Sequence, residues 1–166
     1  MSYLKKPAVT RVRKALVAAG CNDTVIELDE TARTAEDAAR ATGAEPGAIV
    51  KSLVFLIGEQ PVLALVAGDH RCLTENSPRA LALEGEVRKA DAAEVKAATG
   101  FTIGGVAPVG LKTDVPIVID SSLKRFDTLY AAAGHPHCVF PMTVVELKKM
   151  TGAIVSYNIS APMAAR

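Results

Sequence analysis

The sequence has few cysteines, and none has the spacing of a metal or disulfide motif. Cys21, Cys72 and Cys138 are odd in number and far apart, and neither a CxxC pair nor an HExxH motif occurs. Scattered, unpaired thiols are typical of a reducing compartment. A chain of 166 residues is also long enough to bury a core without a disulfide or a metal. We therefore expect free cysteines, a cytoplasmic location and no structural metal.

Long apolar runs and an excess of charge of one sign are also missing. The most apolar segments, 53–57 and 61–67, are far shorter than the ~18 residues of a membrane span, and basic residues interrupt any leader-like stretch near the start. The 19 basic and 18 acidic residues leave a net charge of +1. This balance excludes a polybasic protein that binds mainly by neutralising phosphates, but it allows a local basic patch. We expect a globular domain with no membrane partner.

The sequence motifs of several common enzyme classes are absent. The chain contains no GK[ST] phosphate loop, no GxGxxG dinucleotide motif and no GxSxG nucleophile elbow, and Ser52 beside Lys51 lacks an SxxK context. A hydrolase built on this chain would therefore depend on substrate positioning and backbone donors rather than on a strong side-chain base.

Local signals predict an α+β fold in a single domain over 1–166, with 161–166 as a loose tail. Three segments, 34–43, 91–100 and 143–152, begin with a capping residue, carry an acid three positions later and end in Thr-Gly, which is typical of short helices. A further helix is expected over 7–20. Hairpins between apolar runs indicate a mixed, largely antiparallel sheet. The expected strands are 24–28, 49–57, 62–66, 115–119, 128–133, 138–140 and 153–156.

Lys51 is the most informative residue of the sequence. It lies within GAIVKSLVF, a predicted strand that is apolar on both faces. A buried ammonium group is unfavourable unless a partner or ligand compensates it. The alternative is a lysine at the strand mouth, with its stem packed and its head in water. Position alone leaves both interpretations open.

Two loops carry further candidates. The segment 104–110, GGVAPVG, is too rich in glycine for a helix or regular strand, and its backbone could approach a ligand closely; an ordinary connecting loop is the alternative. The segment 134–138, GHPHC, resembles a polar β-turn more than a zinc site, because the remaining ligands of such a site are missing. His135 is a candidate to face a pocket beside this turn.

A basic cluster lies near the start of the chain. It contains five positive side chains and no acid: Lys5, Lys6, Arg11, Arg13 and Lys14. Such a cluster is either a solvated helix face or a contact for a phosphate backbone.

Taken in order, these segments resemble the YbaK/ProX family of aminoacyl-tRNA deacylases, which are relatives of the editing domain inserted in bacterial prolyl-tRNA synthetases. The resemblance runs over 25–156, and its more specific marks are the lysine of KSLVF and the GxxxP loop. It implies a mixed β-barrel-like sheet surrounded by helices. It also implies hydrolysis of the ester between a wrong amino acid and its tRNA, without a metal or organic cofactor.

The resemblance assigns roles to individual residues. Lys51 matches the family's essential lysine, which engages the acylated 3′ end of the tRNA, and Gly104 and Pro108 match the GxxxP loop that positions the ester. These three are the expected catalytic residues. The expected substrate-binding residues are Ser52, Gly105, Gly134 and His135, and the basic cluster is expected on the tRNA backbone.

The resemblance predicts a free-standing trans-editing enzyme for tRNA(Pro) that carries a small amino acid such as Ala, Cys or Ser. Cysteine-specific members tend to have a serine shortly before the turn glycine, whereas residues 131–133 here are alanines. This difference makes another small amino acid at least as plausible as cysteine. The expected partners are mischarged tRNA and prolyl-tRNA synthetase. The alternative function is a non-catalytic module that binds tRNA or a synthetase through the same pocket.

Overall fold

The structure is a computed structural model that describes residues 2–163. These residues form five short α-helices and ten β-strands. The helices are α1 (Pro7–Ala18), α2 (Ala35–Thr42), α3 (Ser77–Leu81), α4 (Ala92–Thr99) and α5 (Val144–Thr151). The strands are β1 (Ile26–Glu27), β2 (Ile49–Ile57), β3 (Gln60–Ala67), β4 (His70–Cys72), β5 (Val87–Lys89), β6 (Ile117–Asp120), β7 (Leu129–His135), β8 (Cys138–Met142), β9 (Ile154–Ser156) and β10 (Ser160–Pro162).

The capping signals place α2, α4 and α5 to within a residue. The side chains of Thr34, Asp91 and Thr143 each accept a hydrogen bond from the backbone N–H three residues on. All three helices are followed by a glycine in the left-handed conformation. The short helix α3 has no side-chain cap, so it lacks the local signal that marks α2, α4 and α5 in the sequence.

Eight strands form one mixed sheet, with the path β1-β8-β7-β2-β3-β6-β9 and β5 paired to β2. The hairpin of β2 and β3 is its longest pairing, and the contacts of β2 with β7, of β3 with β6 and of β6 with β9 are parallel. The predicted α+β class with a mixed, largely antiparallel sheet is confirmed. No pairing joins β1 to β9 within residues 2–163, so the sheet keeps two edges there.

One edge of β2 is interrupted in its middle. Strand β3 pairs with one edge continuously from Val50 to Ile57, while the other edge receives β7 at Ile49 and Val50 and β5 only from Phe55 onward. Among the described residues, 51–54 have no strand partner on that edge. The same four residues are half-buried, although the strand is buried at both ends. The apolar pattern predicts that Lys51 lies in a continuously buried strand. It lies instead at a gap in the sheet.

The end of the described chain is more ordered than predicted. Ala161 and Pro162 belong to β10, which pairs antiparallel with β4, so the prediction of a loose tail is wrong for these residues. Ile159 is fully buried just before them and anchors this segment in the core. Residues 164–166 of the predicted tail lie outside the described residues. Between positions 2 and 163, no helix has the length and apolar character needed to cross a membrane.

Candidate functional site

Two cavities open at the gap in the sheet. Cavity A, of about 390 Å³, is bounded by β2, β7 and the start of α2, and it contains Lys51. Cavity B, of about 430 Å³, is bounded by β2, β5 and α4. Both volumes fall within the ~300–1,000 Å³ typical of small-molecule sites. The cavities share five lining residues, namely Ser52, Leu53, Ile103, Gly104 and Val106, and so they are neighbours across one junction.

The structure gives Lys51 features of both sequence interpretations. Its side chain is half-buried, and its Nζ donates a hydrogen bond to the backbone carbonyl of His70. Burial lowers the pKa of this ammonium, while negative groups around it, including Glu36 and Asp69, oppose the shift. An ammonium has three donors, so the bond to His70 leaves two for a ligand in cavity A.

The glycine loop crosses the mouth of both cavities. Gly104 lines A and B and has a φ of 93°, a conformation that strongly favours glycine. Gly105 lies against the end of β7, where an added Cβ would be only 2.9 Å from the carbonyl carbon of Gly134. Ile103 projects from this loop with 61% of its surface exposed. The close backbone contact between Gly105 and Gly134 therefore fixes the loop, and the exposed side chain of Ile103 lies where the two cavities meet.

Pro108 lies apart from the other predicted catalytic residues. It is buried and borders a separate cavity of about 270 Å³, together with Ala15 and Gly110. Its position fits a structural contribution to the loop rather than contact with a ligand in cavity A or B.

Gly134 forms a close contact between β7 and α1. It is buried with a φ of 95°, and an added Cβ would lie 2.9 Å from the backbone carbonyl of Ala8. Neither Gly134 nor His135 is among the residues that line cavity A or B. Gly134 and His135 are the last residues of β7, so the turn begins later than the sequence predicts, and the end of this strand packs against Gly105 of the glycine loop.

His135 belongs to an aromatic cluster beside this turn. Its Nδ1 accepts a hydrogen bond from the backbone N–H of His137 at 3.0 Å. The ring of Tyr3 lies 4.5 Å from the His135 ring and stacks on His137 at 4.2 Å. Burial lowers the pKa of His135, and nearby positive charges, including those of His137 and Lys6, lower it further. The structure therefore favours a neutral His135 that helps to hold the start of the chain in place.

The basic cluster divides into two groups. Arg11 donates from Nε to the carbonyl of Gly110 at 2.7 Å and also lies over the Phe101 ring, and Arg13 forms an ion pair of 2.8 Å with Asp23. These two guanidinium groups are thus engaged within the protein. The three lysines are exposed and make no ion pair among residues 2–163: Lys5, Lys6 and Lys14.

Sequence reasoning missed the charged residues that α2 brings to cavity A. Arg33 and Glu36 both line this cavity, beside Thr34, which caps the helix. The capping signature identified the helix, but nothing in the local sequence indicates that its first turn faces Lys51. Within residues 2–163, no group of three or more His, Cys, Asp or Glu side chains is arranged to hold a metal ion. The cavity instead offers cations, a carboxylate and backbone groups.

Comparisons with known proteins point to translation. Residues 29–150 match the family model of the aminoacyl-tRNA editing domain. The uncharacterized protein YwhH of Bacillus subtilis (strain 168) is 34% identical over 128 residues, which are 76% of this chain and 80% of that protein. The proline–tRNA ligase of Elusimicrobium minutum (strain Pei191) is 40% identical over 85 residues, which are 51% of this chain but only 15% of the ligase.

A solved structure resembles nearly the whole chain. It is described as the crystal structure of "a putative trans-editing enzyme for prolyl tRNA synthetase" and matches with a TM-score of 0.85 and 41% identity. The match covers 92% of this chain and 96% of that chain. The similarity therefore extends over nearly the full length of both chains.

Proposed function

The chain belongs to the aminoacyl-tRNA editing domain family, and from this premise we propose that it is a trans-editing deacylase. Its reaction is hydrolysis of the ester of mischarged tRNA, with tRNA(Pro) carrying a small amino acid as the substrate. The observation that carries the proposal is the position of Lys51, a half-buried ammonium on the wall of a cavity at the gap in β2. The Gly104 loop faces the same opening.

In this proposal, positioning and electrostatics carry the reaction. Lys51 is held by the His70 carbonyl and directs its free donors toward the carbonyl or phosphate oxygens of the substrate. The backbone of Gly104 lies against the ester and orients it. Water is the nucleophile, with the neighbouring ribose hydroxyl as a group that can assist proton transfer. The carbonyl oxygen accumulates negative charge as water attacks, which a fixed cation stabilises.

The lining of cavity A supports a small aminoacyl group. Ala131, Ala132 and Val139 form its β7 and β8 side, and Ala38 and Ile49 contribute further apolar surface. No hydroxyl side chain is present at 131–133 to recognise a polar substrate group. We expect alanine, cysteine or serine to be the amino acid removed. The apolar β7 and β8 side suits alanine, while Thr34, Ser52 and Tyr130 elsewhere in the lining carry hydroxyl groups that a polar substrate side chain can contact.

The direct test is a panel of tRNA(Pro) charged with alanine, cysteine, serine or proline. We expect wild-type protein to release at least one of the three wrong amino acids much faster than buffer, while Pro-tRNA(Pro) remains charged. Salt-dependent tRNA binding with no loss of any amino acid would refute the deacylase and favour a non-catalytic binding module.

The variant Lys51→Met tests the central residue of the proposal. A hydrogen bond to a charged group contributes about 1.5–3 kcal/mol, so kcat/KM should fall about 10- to 100-fold. Lys112→Met is the matched control, because Lys112 is exposed and borders neither cavity. If both variants retain wild-type turnover, Lys51 has no part in the reaction.

A further inference from the structure

The proposed reaction leaves cavity B without an assigned occupant. Cavity B is similar in size to cavity A, and it meets A at Ser52 and the Gly104 loop. Its wall is mostly apolar, with Phe55, Val87 and Val95 from three different elements. An editing substrate has two parts joined by an ester, an amino acid and the terminal nucleoside of the RNA. Two adjoining cavities match this division.

An unpartnered group marks the junction. Ser52 Oγ is completely buried, lines both cavities and has no hydrogen-bond partner among residues 2–163. A buried hydroxyl without a partner costs about 1–3 kcal/mol, so such an atom indicates a ligand that supplies the missing bond. A ribose hydroxyl or an ester oxygen at the junction can supply it.

The charges around the two cavities indicate which part of the substrate each one holds. Cavity A contains the Glu36 carboxylate, a suitable acceptor for the α-ammonium group of an aminoacyl ester. Cavity B has no acidic lining residue and has two cations at its rim, Arg88 and Lys89. Arg88 is paired with Glu94 at 2.7 Å, whereas Lys89 is exposed and makes no ion pair within the described chain.

We infer that cavity B binds the terminal nucleoside of the acylated RNA, with Lys89 on its phosphate and Ser52 Oγ bound at the ribose–ester junction. The inference rests on the proposed deacylase function. The apolar side chains of cavity B contact the base, which suits a nucleobase because each base has an apolar face. The amino acid then enters cavity A, and the ester lies between Lys51 and Gly104.

The experiment uses an RNA hairpin of the tRNA(Pro) acceptor stem whose 3′-terminal base is 2-aminopurine. Burial of this base changes its fluorescence, so the readout needs no turnover. We expect a saturable change with wild-type protein. Val87→Phe, which fills cavity B, should weaken that binding about tenfold and raise KM for charged tRNA by a similar factor. Val145→Phe is the matched control, because Val145 is 76% exposed on α5 and borders neither cavity.

Two further variants separate the cavities. Ala132→Leu, which fills cavity A, should reduce deacylation at saturating substrate while the fluorescence change persists. Lys89→Gln changes an exposed side chain and tests the phosphate contact without disturbing the core. Loss of one phosphate contact should reduce the salt dependence of binding, as the slope of log K against log[salt], by about 0.7.

The possible outcomes distinguish this inference from the function on which it rests. If wild-type protein deacylates charged tRNA but neither Val87→Phe nor Lys89→Gln alters KM, fluorescence or salt dependence, the terminal nucleoside binds elsewhere and the inference is overturned. If wild-type protein deacylates no substrate of the panel, the proposed function fails, and the fluorescence measurement still shows whether cavity B accepts the base.

Discussion

Replacing Gly134 by alanine tests whether the end of β7 is a packing element or a wall of the binding site. Gly134 has a φ of 95°, and an added Cβ would lie 2.9 Å from two backbone atoms of Ala8 in α1. Real Cβ atoms do not approach backbone this closely, so α1 or the end of β7 must move. The contact cannot be relieved by rotating a side chain, because the three nearest atoms all belong to the main chain of Ala8 and Val9.

The expected loss of stability has two contributions. A non-glycine residue at positive φ costs about 1–2 kcal/mol, and overpacking a well-packed site costs about 1–3 kcal/mol. Gly134→Ala should therefore lower the free energy of unfolding by about 2–5 kcal/mol. Gly152→Ala is the matched control, because Gly152 has a φ of 64° and no atom within 4 Å of an added Cβ. This control isolates the backbone contribution of about 1–2 kcal/mol.

Urea denaturation followed by circular dichroism measures both variants. With a slope of about 2 kcal/mol per molar urea, the midpoint should fall by about 1–2.5 M for Gly134→Ala and by less than about 1 M for Gly152→Ala. Equal shifts in the two variants would refute the close approach of α1 to the end of β7. Unchanged stability with lost tRNA turnover would instead indicate that Gly134 acts on the substrate.

Three other changes have separate expected outcomes. Arg11→Met removes hydrogen bonds to the half-buried backbone carbonyls of Gly110 and Thr99. The free energy of unfolding measured in urea should therefore fall by about 1–3 kcal/mol, while the salt dependence of tRNA binding stays unchanged. The triple change of Lys5, Lys6 and Lys14 to Gln should leave the urea midpoint unchanged. The slope of log K against log[salt] for tRNA binding should fall in magnitude by up to about 2.7, and an unchanged slope would show that these lysines form only a solvated surface. The pKa of His135 is lowered in the fold, mainly by burial, so the unfolded chain binds protons more readily and stability should decrease as pH falls below about 6.5. His135→Gln should flatten that decrease in pH-dependent melting curves, and an equally steep decrease in the variant would contradict it.

Elements with strong local signals could be predicted from the sequence. The bounds of β2 match the apolar run 49–57, and the caps at Thr34, Asp91 and Thr143 locate three helices, because both signals are contained within one segment. Strands β4, β5 and β10 have three residues each and lack an apolar alternation long enough to recognise. Their formation depends on partners distant in the sequence, such as β2 for β5, and so on tertiary structure.

The candidate site was harder to predict than the residues within it. Lys51 and Gly104 stand out in the sequence because a cation in an apolar strand and a glycine-rich loop are locally unusual. The gap that exposes Lys51 has no local signal, since it exists only because β7 and β5 reach the same edge of β2 and stop on either side of residues 51–54. The same convergence brings Glu36 of α2 and Lys89 of β5 to the two cavities. The apolar pattern of 49–57 therefore predicts the strand correctly but wrongly predicts that it is buried along its whole length. The middle of β2 has a strand partner on one edge only, and there backbone groups, a half-buried lysine and a buried serine hydroxyl become available to a ligand.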